Sequence, residues 1–148
     1  MPIRFAARWL SNLRMAWESR RIRREMGLPL GARGERVAAR FLQRKGVRVF
    51  ARNYRVNQNE IDLIGRAGDV LVFVEVKTRR RGDPALAVDA VKQRAVIRAA
   101  TSFLRRFHAD DVPHRFDIVA VSWESDDRMP IVEHWPDAFS PAEFGQVL

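Results

Sequence analysis

No cysteine occurs among the 148 residues, which excludes thiol catalysis, thiolate metal sites and disulfide scaffolds. The same absence fits a reducing compartment, and a cytoplasmic location is the expectation. Long hydrophobic runs are also missing. The strongest, Val70–Val74, is strand-sized and far below the roughly 18 to 20 residues of a membrane-crossing helix, so a soluble chain is expected. Histidines 108, 114 and 134 lack metal-ligand spacing, no G-x-S-x-G elbow is present, and Gly27, Gly31 and Gly34 do not complete a phosphate loop. Acidic residues are scarce in the middle of the chain. Residues 31–108 hold eighteen basic against seven acidic side chains, whereas residues 109–148 hold two against nine.

The formal net charge is +9, and 47% of residues are hydrophobic. A chain of this length forms one compact domain and buries about two thirds of its unfolded surface without a staple. Its positive field attracts polyanions, of which nucleic acid is the most abundant; an acidic phospholipid surface is drawn by the same field.

Residues 1–26 read as a separate basic amphipathic arm. Phe5, Trp9, Leu13 and Trp17 recur every four residues with Arg4, Arg8 and Arg14 between them, which is helix spacing. Periodicity leaves three readings open: membrane contact, a nucleic-acid arm, or a start of translation further along at Met15 or Met26. An Arg-rich, acid-poor start also resembles an organellar transit peptide.

Residues 27–34, with Pro29 and three glycines, predict a linker or turn, followed by a helix over Glu35–Lys45 that Gly46 stops. Strands are predicted at Val47–Ala51, Glu60–Gly65 and Val70–Thr78, then a loop over Arg79–Ala87. A long helix follows at Val88–Phe107, with Val91, Ala95, Ala99, Phe103 and Phe107 along one side. Strands return at Arg115–Trp123 and Ile131–Trp135, and the tail 137–148 is expected to be irregular. Helix, three strands, helix, two strands is an α/β sheet with helices packed on it.

The hairpin between the second and third strands carries the chemistry. If Ala67 and Gly68 form its two-residue turn, Asp62 lies opposite Phe73 and Glu60 opposite Glu75. Glu60, Asp62, Glu75 and Lys77 then share one face, with Val70, Val72, Val74 and Val76 on the other. A slip of one residue would break that grouping. Carboxylates gathered near a core repel unless a cation resides there, and Mg²⁺ is the natural candidate, since it takes oxygen ligands from one or two carboxylates. Glu-x-Lys on a strand is commonly a salt-bridged surface pair. Here it continues a buried-type run, where unpaired charge is expensive. Glu35, followed by Ala38 and Leu42, is placed on the inward side of the first helix; its plainer role is a favourable charge at the helix start. Lys92 or Gln93 also points inward by helical arithmetic, although a lysine snorkelling from a helix edge is the commoner case.

Taken together, Gly34-Glu35, Asn53-Tyr54-Arg55, Glu60-Ile61-Asp62-Leu63-Ile64, Phe73-Val74-Glu75-Val76-Lys77-Thr78-Arg79, Lys92-Gln93 and Arg115-Phe116-Asp117-Ile118-Val119-Ala120-Val121 resemble the YraN-like family of uncharacterised bacterial proteins. The resemblance covers about residues 31–136. That family resembles the restriction-endonuclease-like PD-(D/E)xK nucleases, archaeal-type Holliday-junction resolvases among them. The resemblance implies a mixed β-sheet flanked by helices over residues 27–136 and Mg²⁺- or Mn²⁺-dependent cleavage of structured DNA, leaving a 5′-phosphate and a 3′-hydroxyl. It implies Asp62, Glu75, the carbonyl of Val76 and Glu35 as metal-binding groups and Lys77 as the catalytic lysine. Arg79, Arg80 and Arg81, with Lys92 and Gln93, become the expected nucleic-acid contacts. A homodimer is compatible with it, although no interface is readable in the chain. Two departures stand out: Ile61 occupies the place of the nuclease motif's proline, and Asn59 that of a glycine usual in the family. A non-catalytic nucleic-acid-binding module on the same fold is the alternative, because fold does not establish activity.

Overall fold

The computed structural model describes residues 28–82, 88–125 and 129–145. The arm at residues 1–26 lies outside them. The described elements are α1 (Leu30–Arg44), β1 (Arg48–Val56), β2 (Asn59–Ala67), β3 (Val70–Arg80), α2 (Ala90–Arg106), β4 (His114–Trp123), β5 (Ile131–Phe139) and a 3₁₀ turn at Pro141–Phe144. The five strands form one sheet in the order β1-β2-β3-β4-β5. Pairing is antiparallel throughout except between β3 and β4, which run parallel because α2 carries the chain across. This is the mixed α/β sheet expected, of a kind compatible with a restriction-endonuclease-like domain. No helix among the described residues is long and apolar enough to cross a membrane.

One helix covers each face. Ala38, Ala39 and Leu42 of α1 pack on Val49, Leu63, Val72, Val74, Val119 and Val121. Val96, Ile97, Ala100, Phe103 and Leu104 of α2 pack on Phe50, Ile64, Leu71, Phe73 and Phe116. Strand β3 is therefore buried on both sides, as its unbroken apolar run requires. Asp89 caps α2, its carboxylate accepting from the Lys92 amide at 2.8 Å.

Several boundaries differ from those the sequence predicts. Gly31 and Gly34 belong to α1, which begins at Leu30 after Pro29. At Gly34 the reason is contact: a Cβ there would stand 1.9 Å from Thr78 Oγ1, so only glycine lets the helix approach β3 this closely. The β2–β3 turn is Gly68-Asp69 rather than Ala67-Gly68, with Gly68 at φ +59°, as the first position of such a tight turn favours. Ala67 pairs with Val70 and Ile64 with Phe73, which shifts the register by two residues. Asp62 is not opposite Phe73, nor Glu60 opposite Glu75. An even shift preserves the faces of β3, so Leu71, Phe73, Glu75 and Lys77 still share one. Strand β3 continues through Arg80 into the expected loop. Strand β5 runs past Pro136, tolerated on an edge strand, to the buried Phe139, so the tail expected from residue 137 starts within a strand. In α2, Val91 is 68% exposed and the buried stripe begins at Val96.

The two glycines of α1 give opposite expectations. Gly34→Ala should destabilise the fold by about 1–3 kcal/mol through the clash with Thr78, whereas Gly31→Ala, which meets nothing within 4 Å, should stabilise it by roughly 0.5–1 kcal/mol. Urea denaturation of the two variants measures both.

Candidate functional site

The site forms where the ladder between β2 and β3 stops. Paired residues run as far as Leu63 and Val74. Beyond them the Val76 amide donates to Asp62 Oδ2 at 2.7 Å, so a side-chain oxygen takes a position that a backbone carbonyl fills elsewhere in the sheet. The pleat of β2 breaks at the same point: Ile61 and Ile64 join the core beneath α2, while Leu63 joins the one beneath α1. On β1, Asn53 falls opposite Asp62 by register and adopts φ +49°. Asparagine tolerates that left-handed conformation better than most residues. Asp62 consequently lies in the gap between strands rather than on the face with Glu75 and Lys77. The amide and carbonyl of one strand residue point to the same edge, so the Val76 carbonyl also faces this gap.

Being level with the sheet, Asp62 is reached from both of its faces. Glu75 and Lys77 rise from β3 on the α2 side, and Lys92 descends from the first turn of α2. Glu75 is 2% exposed; its Oε1 stands 3.8 Å from Lys77 Nζ and its Oε2 3.5 Å from Lys92 Nζ. Oε2 is buried and accepts no hydrogen bond. From the α1 side comes Glu35, near enough to Asn53, Asp62, Glu60 and Arg52 for each to act on its carboxyl. The Gly34–Thr78 contact beside it anchors the start of α1 on β3.

Not every expected residue converges. Gln93 donates to the Val88 carbonyl at 2.9 Å and serves its own helix start, leaving Lys92 as the member of that pair at the site. Arg79 and Arg80 are strand residues on alternate faces, and only Arg79 shares the face of Glu75 and Lys77. The Arg81 amide donates to Trp123 O at 2.9 Å, just past the strand. Glu60 is paired with Arg55 at 3.2 Å, outside the cluster. Asp117 is fully buried and accepts from Arg115, His134 and the Asp137 amide, which ties β4 to β5. Asn53 and Arg52 were not singled out by pattern. The sequence signals for Asn53 are its place in the Asn53-Tyr54-Arg55 motif and its residue type, a frequent occupant of left-handed positions.

A match to the Uncharacterised protein family UPF0102 spans residues 34–121. A UPF0102 protein of Chlorobaculum parvum is 45% identical over 123 residues, covering 78% of this chain and 95% of its own. One of Geobacter sulfurreducens is 46% identical over 116 residues, covering 76% and 90%. One of Symbiobacterium thermophilum is 48% identical over 107 residues, covering 70% and 91%. The chain belongs to the UPF0102 family. This is the YraN-like family that the motifs resemble. The UPF0102 match contains Glu35, Asp62, Glu75, Lys77 and Lys92 and stops before β5.

Electrostatics set this UPF0102 site apart from a surface salt bridge. Burial, then the nearby charge of Asp62, pushes Glu75 up to about 8, with Lys92 and Lys77 opposing. The proximity of the two carboxyls acts in the same sense, raising Glu75 and lowering Asp62, so Glu75 is the one that holds a proton more readily. Asp62 is itself raised, chiefly by burial, despite the Val76 amide and Lys92. Glu35 is raised by burial and then by Asp62. Among the described residues no three His, Asp or Glu side chains group closely enough to hold an ion. Two carboxylates and a carbonyl nonetheless fit Mg²⁺, which keeps several waters.

A carboxyl that holds its proton more tightly folded than unfolded stabilises the fold fully below its ordinary pKa of 4.5, and that contribution is lost as pH rises through about 8. Metal-free protein should therefore lose on the order of a few kcal/mol of unfolding free energy between about pH 5 and pH 9 in urea titrations. Glu75→Gln should remove most of that slope.

Proposed function

We propose that this protein is a divalent-metal-dependent nuclease that hydrolyses phosphodiester bonds in structured DNA. The observation that carries the reading is the buried Asp62–Glu75 pair beside a strand gap, flanked by two lysines. A fold that retains two adjacent buried carboxyls sacrifices stability when both ionise. Asp62, Glu75 and the Val76 carbonyl would hold Mg²⁺ or Mn²⁺, with Glu35 acting on Asp62 from the opposite side of the sheet. When bound, such an ion acidifies water and neutralises charge developing on a phosphate.

The chain's own groups account for the rest. Lys77 is 31% exposed and presents its ammonium beside Glu75, placed to orient the attacking water and to stabilise a phosphoryl oxygen. Lys92 neutralises the second oxygen of Glu75 and holds α2 over the gap. Arg79, continuing along the same face, is placed for a flanking phosphate, a contact that positions a strand without reading its sequence. DNA as the substrate rests on the resemblance to resolvases and on the basic middle segment.

A second reading, a nucleic-acid-binding module without catalysis, draws support from the two lysines, which already offset the charge of Glu75 without metal. One experiment separates the readings: incubation with labelled junctions, flaps, single strands and RNAs in Mg²⁺ or Mn²⁺. Wild type should cut one structure, Glu75→Ala should reduce cutting to background, and Lys77→Ala should reduce it by on the order of a hundredfold or more. Salt-sensitive binding that survives Glu75→Ala, with every strand intact, would establish the module instead. Independently of cutting, Mg²⁺ or Mn²⁺ should raise the melting temperature of wild type at about pH 8 and leave that of Glu75→Gln unchanged.

A further inference from the structure

Helix α2 lies over β1, β2 and β3, and the part of the same sheet face formed by β4 and β5 carries an open pocket of about 420 Å³. Ile118, Ala120, His134 and Ala138 line it, Trp135 and Pro136 border it, and Lys77 enters it from the carboxylate site. The strand registers place these groups in two cross-strand rows. Glu75 is beside Ile118, which is beside Trp135; Lys77 is beside Ala120, which is beside Glu133. Trp135 thus stands two strand spacings from Glu75, about 10 Å, on the same face. Trp135 is 46% exposed.

We infer that this pocket holds one unpaired nucleobase, stacked on Trp135, of a strand whose phosphate lies at Lys77 and the carboxylate pair. The inference rests on the nuclease reading and adds the origin of its selectivity. The occupant must combine a flat apolar body with an anionic group close by, because the lining is largely apolar, with the Lys77 ammonium at one end and His134, whose Nε2 is already engaged by Asp117. A nucleotide has that construction, its base standing one sugar away from its phosphate, and the roughly 10 Å row matches that span. Orientation follows from charge: Lys77 attracts the phosphate, while the exposed Glu133 on the edge strand repels one placed on the far side. A base within a duplex is stacked and paired and cannot enter, so the pocket favours single-stranded, flapped or branched substrates with a free base next to the phosphate.

The test is equilibrium binding with Ca²⁺ replacing Mg²⁺, using full-length protein and a single-stranded oligonucleotide carrying one fluorescent purine, alongside the blunt duplex of the same sequence. Wild type should quench the purine and bind the single strand more tightly than the duplex. Trp135→Ala should weaken single-strand binding about tenfold and abolish quenching while duplex affinity stays unchanged, and Trp135→Phe should restore most of both. Equal loss on single strand and duplex, or single-strand binding by Trp135→Ala as tight as wild type, overturns the pocket. So does light scattering that shows Trp135→Ala converting a dimer to a monomer, or deletion of residues 1–27 raising single-strand affinity as Trp135 is uncovered; the face then belongs to a second copy or to the arm. The two proposals fail separately. Cutting that is indifferent to Trp135 sinks the pocket and spares the nuclease, whereas Trp135-dependent quenching without cutting by wild type does the reverse.

Discussion

The Asp62 carboxylate, accepting the Val76 amide between two separating strands, is the contact on which the site depends. A sheet normally consumes every backbone donor and acceptor along its ladder, leaving neither space nor unpaired groups within its plane. Here the ladder between β2 and β3 stops at Leu63 and Val74, four residues short of the start of β2, the pleat of β2 is broken, and one side chain satisfies the Val76 amide beyond it. The result is an acid embedded in the sheet, open to side chains from both faces. Glu35 approaches from the α1 side and Glu75, Lys77 and Lys92 from the α2 side, an arrangement that an acid standing on one face would prevent.

Around that contact the electrostatics are deliberately unbalanced. Glu75 is nearly inaccessible, adjacent to a second buried acid, and faced by two ammonium groups at 3.8 and 3.5 Å that are themselves about one third exposed. Solvent weakens those lysines more than it weakens the repulsion between the buried carboxyls. The raised hold of Glu75 on its proton is the consequence. The packing supports this geometry at a distance: Gly34 lets α1 touch Thr78, and Asp89 caps α2 so that Lys92 starts in its first turn.

Much of this was legible in the order of the residues. The run from Val70 to Val76 announced a strand covered on both sides, and its interruption by Glu75 announced a charge where charge is costly. Helical spacing placed Glu35, and either Lys92 or Gln93, near the site. The register of the hairpin was read two residues off because Ala67, Gly68 and Asp69 offer two adjacent positions for the same tight turn; the face of Glu75 survived because an even shift preserves alternation. Gly31 and Gly34 read as a linker since local propensity disfavours glycine in a helix, and the contact that requires Gly34 comes from a strand more than forty residues away.

The sequence alone carried the family in its joined motifs, and it carried the alternation of helix and strand and the face of β3 that Glu75 and Lys77 share, because periodicity acts over a few residues; it placed Glu35 at a helix start, whereas α1 begins five residues earlier. Only the tertiary structure decided that Asp62 leaves its face for the gap, that Asn53 turns left-handed opposite it, that Lys92 rather than Gln93 meets Glu75, and that Trp135 borders a pocket shared with Lys77. Each of these depends on pairing between segments distant in the chain, and strand register, unlike helix phase, is settled by the partner strand and not by the residues of the strand itself.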